Sequence, residues 1–347
     1  MHRREFLTGA LASPFSLARQ AEAQSPIVTA DMHFHSFFAQ SKYHARPLAQ
    51  ALAAGNTTLA AWSLVGDLLW FDLKTYKQKS VPKPGEALGW FQREVGRIKE
   101  HVASQKLRIL RAPPDVDRAL RGESHIVLAV EGASFIEADA RRVKTAFDLG
   151  VRHLQLVHYT RNAIGEIQTE PSDRPGLTQV GEQVIGECNR HGILIDLAHC
   201  TEPAVIDVLS ISRAPVVWSH GSVTDGPQAR PFAPVWRRRQ LSLDTAKEIA
   251  RKGGVVGLWA LTADVGKTVE AYADRMIELA EWLGDDHVAF GTDINGLGPH
   301  SVLSGHGDLR RIVDHWQRQG VADARIRKLA AGNYARVLKA ALQPSKT

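Results

Sequence analysis

The sequence predicts a (β/α)8 barrel with its chemistry at the carboxyl ends of the strands, and three observations lead there. Short apolar, β-branched-rich runs recur eight times along the 347 residues. Segments with apolar residues at three- and four-residue spacing separate most of them, which is the alternation of a parallel α/β fold. Three of the runs, Ile126 to Glu131, Ile193 to His199 and Val216 to His220, stop on a residue able to bind a metal. In a barrel of buried parallel strands, active-site groups sit at those ends.

The eight expected strands are Ile27 to His33, Thr57 to Leu64, Ile126 to Glu131, Leu154 to His158, Ile193 to His199, Val216 to His220, Val255 to Ala260 and His287 to Asp293. Expected helices cover Ala138 to Leu149, Gly181 to Arg190, Glu202 to Ile211, Leu243 to Lys252 and Val269 to Leu283, several ending at a glycine before the next strand. Together they form one domain over residues 24–342, followed by a short tail, 343–347. The longest interval, Val65 to His125, exceeds a loop plus helix. Its aromatics Trp70, Phe71, Tyr76, Trp90 and Phe91 suit either a cover for the barrel mouth or ordinary core packing.

Bulk properties exclude several classes. Hydrophobic residues at 44% and charged residues at 23% match globular averages and argue against disorder. No run of eighteen apolar residues offers a transmembrane helix. Net charge is +6, with basic residues interspersed among acids apart from Arg237-Arg238-Arg239, so a nucleic-acid role is not expected. Residues 1–23 are different. Arg3-Arg4-Glu5-Phe6-Leu7 opens a modest apolar stretch to Leu17, and Ala21-Glu22-Ala23 is a small-x-small cleavage site. That order reads as a twin-arginine export signal, with a mature chain from Gln24 in the periplasm or secreted. The C-terminus lacks the hydrophobic tail of a lipid-anchor signal, so no membrane anchor is expected. Cys188 and Cys200 fall at opposite ends of one strand, roughly 20 Å apart at about 3.3 Å per residue. A disulfide needs Cα atoms within about 7 Å, so none is expected.

Seven polar residues converge at one end of the expected barrel: His33, His35, Glu131, His158, His199, His220 and Asp293. Neutral imidazoles suit zinc, a carboxylate can span two ions, and zinc-bound water ionises near pH 7. His33 and His35, two apart on a strand, point the same way and can share one ion. Glu131 would bridge to a second ion held by His199 and His220, leaving Asp293 to move the proton of a bridging hydroxide to a leaving group.

These residues stand in segments that resemble the membrane dipeptidase (renal dipeptidase) family of zinc peptidases. The segments include Asp31-Met32-His33, Glu131-Gly132, Leu156-Val157-His158, Ile195-Asp196-Leu197-Ala198-His199, Trp218-Ser219-His220, Gly253-Gly254, Gly291-Thr292-Asp293 and Gly332-Asn333-Tyr334, in family order through nearly all of the mature chain. The resemblance implies an amidohydrolase-like barrel with two Zn2+ ions, a small-molecule substrate and a homodimer. It also implies that Glu131 bridges the ions, that His158 contacts the scissile carbonyl and its oxyanion, and that Asp293 shuttles the proton. An arginine fourteen residues before the paired glycines, Arg239 here, would hold the substrate carboxylate; Arg230, Arg237 and Arg238 are alternatives. Two departures bear on substrate. The family's His-x-Asp is His33-Phe34-His35, which leaves the metal pair one unit more positive. Asn295 replaces a second acid on the rim, where it would meet the substrate amine. The expected activity is therefore cleavage of a dipeptide or similar small amide. N-acyl amino acids or lactones are the alternative substrates, and a non-catalytic metal- or ligand-binding barrel is the alternative of another class.

Overall fold

The computed structural model describes residues 26–36, 47–170, 176–225 and 234–343; the expected export signal over residues 1–23, Arg230 and residues 344–347 lie outside them. Eight parallel strands follow one another around a barrel: β1 Thr29–Phe34, β2 Thr57–Val65, β3 His125–Glu131, β4 Val151–Gln155, β5 Leu194–Asp196, β6 Val217–Trp218, β7 Val255–Leu258 and β8 Val288–Phe290. Consecutive strands pair in parallel. The ring closes through a parallel bridge between Phe34 and Ile294, with His35 N donating to Ile294 O at 2.9 Å and Asp293 N to His33 O at 3.0 Å. A two-residue strand, Arg108–Ile109, pairs with the start of β3, below the level at which β4 takes over that edge at Leu128. Among the described residues no helix is long and apolar enough to cross a membrane.

Two layers of apolar side chains hold this shape. Inside the barrel, small residues such as Ala30, Ala61, Ala129 and Ala289 leave room for Met32, Val127 and Val217, and the helix Asn333–Ala341 plugs the base with Tyr334 and Leu338. Outside, each helix lays one apolar stripe on the strands. Val269–Leu283 buries Tyr272, Ala273, Met276, Leu279, Ala280 and Leu283, spaced at three and four, and Thr268 caps it by accepting from Ala271 N at 3.0 Å. Full burial of a side chain like Leu279 contributes about 1.5–3 kcal/mol.

The structure corrects the fourth strand. It runs over Val151–Gln155 rather than Leu154 to His158, so His158 lies beyond its end. Gly150, at φ 103°, ends the preceding helix and lets the strand begin at once. Polar Arg152, His153 and Gln155 disguise it as a loop, yet each is buried and bonded: Arg152 donates to Phe147 O, Val151 O and Arg111 O, and His153 meets Asp196 at 3.1 Å and Tyr334 at 3.2 Å. Strands β5, β6 and β8 likewise stop short, leaving His199, His220 and Asp293 on the turns that follow.

Glycine is required where backbones nearly touch inside the barrel. A Cβ on Gly291 would lie 1.6 Å from the Ser219 carbonyl oxygen. Gly291→Ala is expected to cost at least ~3 kcal/mol in urea unfolding. Gly186→Ala, on an exposed helix face with nothing within 4 Å, should add about 0.5–1 kcal/mol. Cys188 and Cys200 are free and buried, and burial pushes both thiols upward. The native chain should therefore leave Ellman's reagent unreacted at pH 8 and release two equivalents in guanidinium.

Candidate metal centre

All seven expected residues meet at the carboxyl end of the barrel. A register shift in β1 between Asp31 and Phe34 lets His33 and His35 face inward like Met32, while Phe34 packs outward against Trp62 and His306. The rings are held by their outer nitrogens. His35 Nδ1 donates to Ser63 O at 2.9 Å, His33 Nδ1 contacts Ser63 Oγ at 3.1 Å, and His220 Nδ1 contacts Ser219 Oγ at 3.0 Å. That leaves Nε2 atoms facing one another in two pairs, His33 with His35 at 3.1 Å and His199 with His220 at 3.2 Å. Glu131 sits between them. Its Oε1 is 3.2 Å from His199 Nε2, 3.4 Å from His220 Nε2 and 3.6 Å from His33 Nε2, and Oε2 is 3.5 Å from His35 Nε2. Asp293 Oδ1 stands 3.3 Å from His35 Nε2.

Burial, followed by like charge from neighbouring histidines and Arg239, holds His33, His199 and His220 well below the ordinary histidine range. They are neutral, so their contacts with Glu131 are not ion pairs. Burial would lower His35 too, but Asp293 and Glu131 outweigh it and raise the ring; Asp67 and Glu131 do the same for His158. Burial raises Glu131, opposed first by His158. Neutral rings whose lone pairs converge are poor partners for one another and good ones for a cation. Ligand atoms about 2.0–2.2 Å from an ion lie no more than about 4.4 Å apart, and the spacings above fall within that limit. Among the described residues three groups bring their ligand atoms within 4.8 Å of one another: His33, His35 and Asp293; His33, Glu131 and His220; and Glu131, His158 and His199. The donor set fits a metal ion.

Three buried aspartates absent from the expected site hold these strand ends. Asp31 Oδ1 accepts from His33 N and Thr292 N, both at 3.1 Å, tying β1 to the turn that carries Asp293. Asp196 Oδ1 accepts from Ala198 N at 3.0 Å and Ser219 N at 2.9 Å, each just before a histidine of the cluster. Asp67 contacts His158 Nδ1 at 2.7 Å. An acid inside an apolar run was a readable signal for Asp31 and Asp196. Asp67 follows β2 on a loop and carried none.

The other half of the cavity is aromatic. Phe71, Tyr76, Tyr159, Trp236 and Trp259 line it with Arg239. A hairpin, Phe71–Asp72 with Lys77–Gln78, brings Phe71 within 5.1 Å of His158 and Tyr76 within 5.0 Å of Tyr159. Two of the five aromatics of the long interval thus face the cavity, whereas Trp70 packs on Trp90 and Phe91 stacks on Phe135. Of the three consecutive arginines only Arg239 enters; Arg237 and Arg238 are exposed, and Arg238 donates to Thr169 O. Arg239 is 1% exposed, donates to Gln168 Oε1 at 3.2 Å and lies 5.5 Å from the Trp259 ring, while its Nε and second terminal nitrogen have no hydrogen-bond partner among the described residues. Asn295 does not line this cavity. Its amide donates to His35 O at 2.7 Å, which makes it a brace for the first-strand turn rather than part of the substrate rim.

A family model described as "Membrane dipeptidase (Peptidase family M19)" matches residues 49–347, beginning after His33 and His35. Dipeptidase tcpJ of Claviceps purpurea is 26% identical over 253 residues, 70% of this chain and 57% of its own length. Dipeptidase verJ of Clonostachys rogersoniana is 27% identical over 246 residues, 68% and 60%. The chain thus spans less than two thirds of the length of these relatives. Among solved structures, the probable dipeptidase PvdM from Pseudomonas aeruginosa superposes with TM-score 0.76 at 18% identity, covering 92% of this chain and 96% of that one. A metallo peptidase from Rhodobacter sphaeroides, liganded with a phosphinate mimic of the dipeptide L-Ala-D-Ala, superposes with TM-score 0.73 at 19% identity, covering 91% and 99%. At these identities the two structures speak for the fold.

Proposed function

The chain belongs to the membrane dipeptidase family, and on that premise we propose that it is an exported zinc hydrolase cleaving dipeptides or similar small amides that carry a free carboxylate. The observation that supports this best is a single cavity lined by His35, Glu131, His158, His199, His220 and Asp293 together with the half-unpaired guanidinium of Arg239. Two zinc ions would be held by His33 and His35 on one side and by His199 and His220 on the other, with Glu131 reaching both. Zinc bound there supplies polarisation of a carbonyl and a lowered pKa for water. The protein's own groups do the rest. Arg239 presents two free nitrogens, the geometry that pairs with a carboxylate, in a site too buried for solvent to screen. His158 turns Nε2 toward the carbonyl where negative charge develops. Asp293 accepts the proton of the attacking water and returns it to the leaving nitrogen, so that the amine departs neutral as the C–O bond replaces C–N.

A second reading, the same machinery acting on N-acyl amino acids or lactones, is favoured by the aromatic wall, which offers an apolar acyl group a large contact surface. Export rests on the sequence order at residues 1–23 and would place the enzyme in the periplasm. The mature chain from Gln24 should carry about two zincs and hydrolyse L,L or L,D dipeptides. Asp293→Asn should lower kcat at least ~100-fold. Arg239→Met should raise KM by about 100-fold for free-carboxylate substrates, with much less effect when that carboxylate is amidated. Turnover confined to N-acyl amino acids or lactones would transfer the assignment to the second reading. Fewer than one zinc per chain with no turnover would remove both.

A further inference from the structure

Asp67 has no part in the scheme above, yet its carboxylate is fully buried beside the cavity. Two glycines bring it there. Gly66, where a Cβ would lie 1.9 Å from Gly132 O, lets the chain leaving β2 rest on the end of β3, and Gly66 N donates to Glu131 O at 2.7 Å. Gly132, at φ 83°, lies so close to His158 that a Cβ would come within 2.9 Å of the His158 Cβ. Ends of β2 and β3 thus meet the loop after β4, and Asp67 comes within reach of that loop. One oxygen lies 2.7 Å from His158 Nδ1; the other accepts from Tyr159 N at 3.1 Å and Thr160 N at 2.8 Å.

A carboxylate accepts and does not donate, so the proton in the short contact sits on Nδ1. The ring then has one nitrogen left for the cavity, Nε2, 3.4 Å from Glu131 Oε1. Phe71 packs edge-on against the same ring at 5.1 Å, and His199 lies 4.6 Å away. We propose that Asp67 is a positioning residue that holds the His158 ring through its Nδ1–H, so that Nε2 is the nitrogen facing the reacting carbonyl. This rests on the placement of His158 at that carbonyl in the preceding reading. An unheld imidazole can flip, whereas a carboxylate that accepts from Nδ1–H fixes which nitrogen faces the cavity.

Asp67→Asn in the zinc-loaded mature chain keeps the volume but replaces one acceptor with an amide NH2. We expect kcat to fall ~10–100-fold, with KM and zinc content within about twofold of wild type. Binding of a phosphinate mimic of L-Ala-D-Ala should weaken by the same factor as kcat/KM, since only the tetrahedral state uses the oriented nitrogen. Added to His158→Gln, the same substitution should cost less than about threefold, because a positioning residue has nothing left to position. A wild-type kcat for Asp67→Asn, or a full further loss in the His158→Gln background, would overturn the inference. Should Asp67→Asn not fold, the wild-type protein labelled with 15N-histidine decides. The His158 resonances, assigned by their loss in His158→Gln, should show a protonated Nδ1, and a bare Nδ1 would overturn the inference. A His158→Gln variant with normal kcat would sink the role given to His158 and this inference with it; a crippled His158→Gln beside a normal Asp67→Asn would sink the inference alone.

Discussion

Everything around the cavity is organised by one electrostatic constraint, a carboxylate buried among five imidazoles. Glu131 is 2% exposed and lies within 3.6 Å of five histidine Nε2 atoms. A buried charge is tolerated only when paired, and neutral rings facing lone pair to lone pair cannot supply the pairing. Positive charge must therefore enter the cluster. Against burial, Asp293 and Glu131 raise His35, and Asp67 and Glu131 raise His158, while burial holds the other three rings well below the ordinary histidine range. A divalent cation answers the same need with greater charge density. That is the physical sense in which the donor set suits a metal.

Holding such a cluster strains the backbone, and the fold compensates locally. His199 and Asp293 have positive φ, 69° and 54°, a region costing roughly 1–2 kcal/mol for a residue with a Cβ. Asp196 accepts from the amide just before His199, and Asp31 from the amide just before Asp293. Hydrogen bonds to a charged acceptor contribute about 1.5–3 kcal/mol each, enough to offset the strain. Both aspartates lie in the barrel strands themselves, so turns that would otherwise relax are anchored to the most rigid part of the molecule.

Much of the site was legible because strand ends are punctuated by composition. His199 and His220 close apolar runs, and Glu131 closes a strand whose every residue is buried. Where composition and structure diverge, a tertiary partner is the cause. The fourth strand was misplaced because Arg152 and His153 find partners on distant elements, Arg111, Asp196 and Tyr334, which no local window can display. Asn295 reads as a rim residue by position, yet its amide is taken by the His35 carbonyl. The same holds for the aromatics of the long interval, of which the hairpin turns Phe71 and Tyr76 to the cavity while Trp70 and Phe91 face the core.

By itself the sequence determined the barrel, the order of its strands and the residues that crown them, because period-two and three-to-four patterning and the chemistry of strand ends are local properties. It also determined that the first-strand pair is His33 and His35. Only the tertiary structure decided which of three consecutive arginines enters the cavity, which oxygen of Glu131 reaches which ring, and that Asp67 stands behind His158. Those are contacts between residues as far apart as 71 and 91 positions, set by how neighbouring strands and loops lie against one another. Gly66 and Gly132 make the last of them sterically possible, and nothing in either glycine's own neighbourhood announces it.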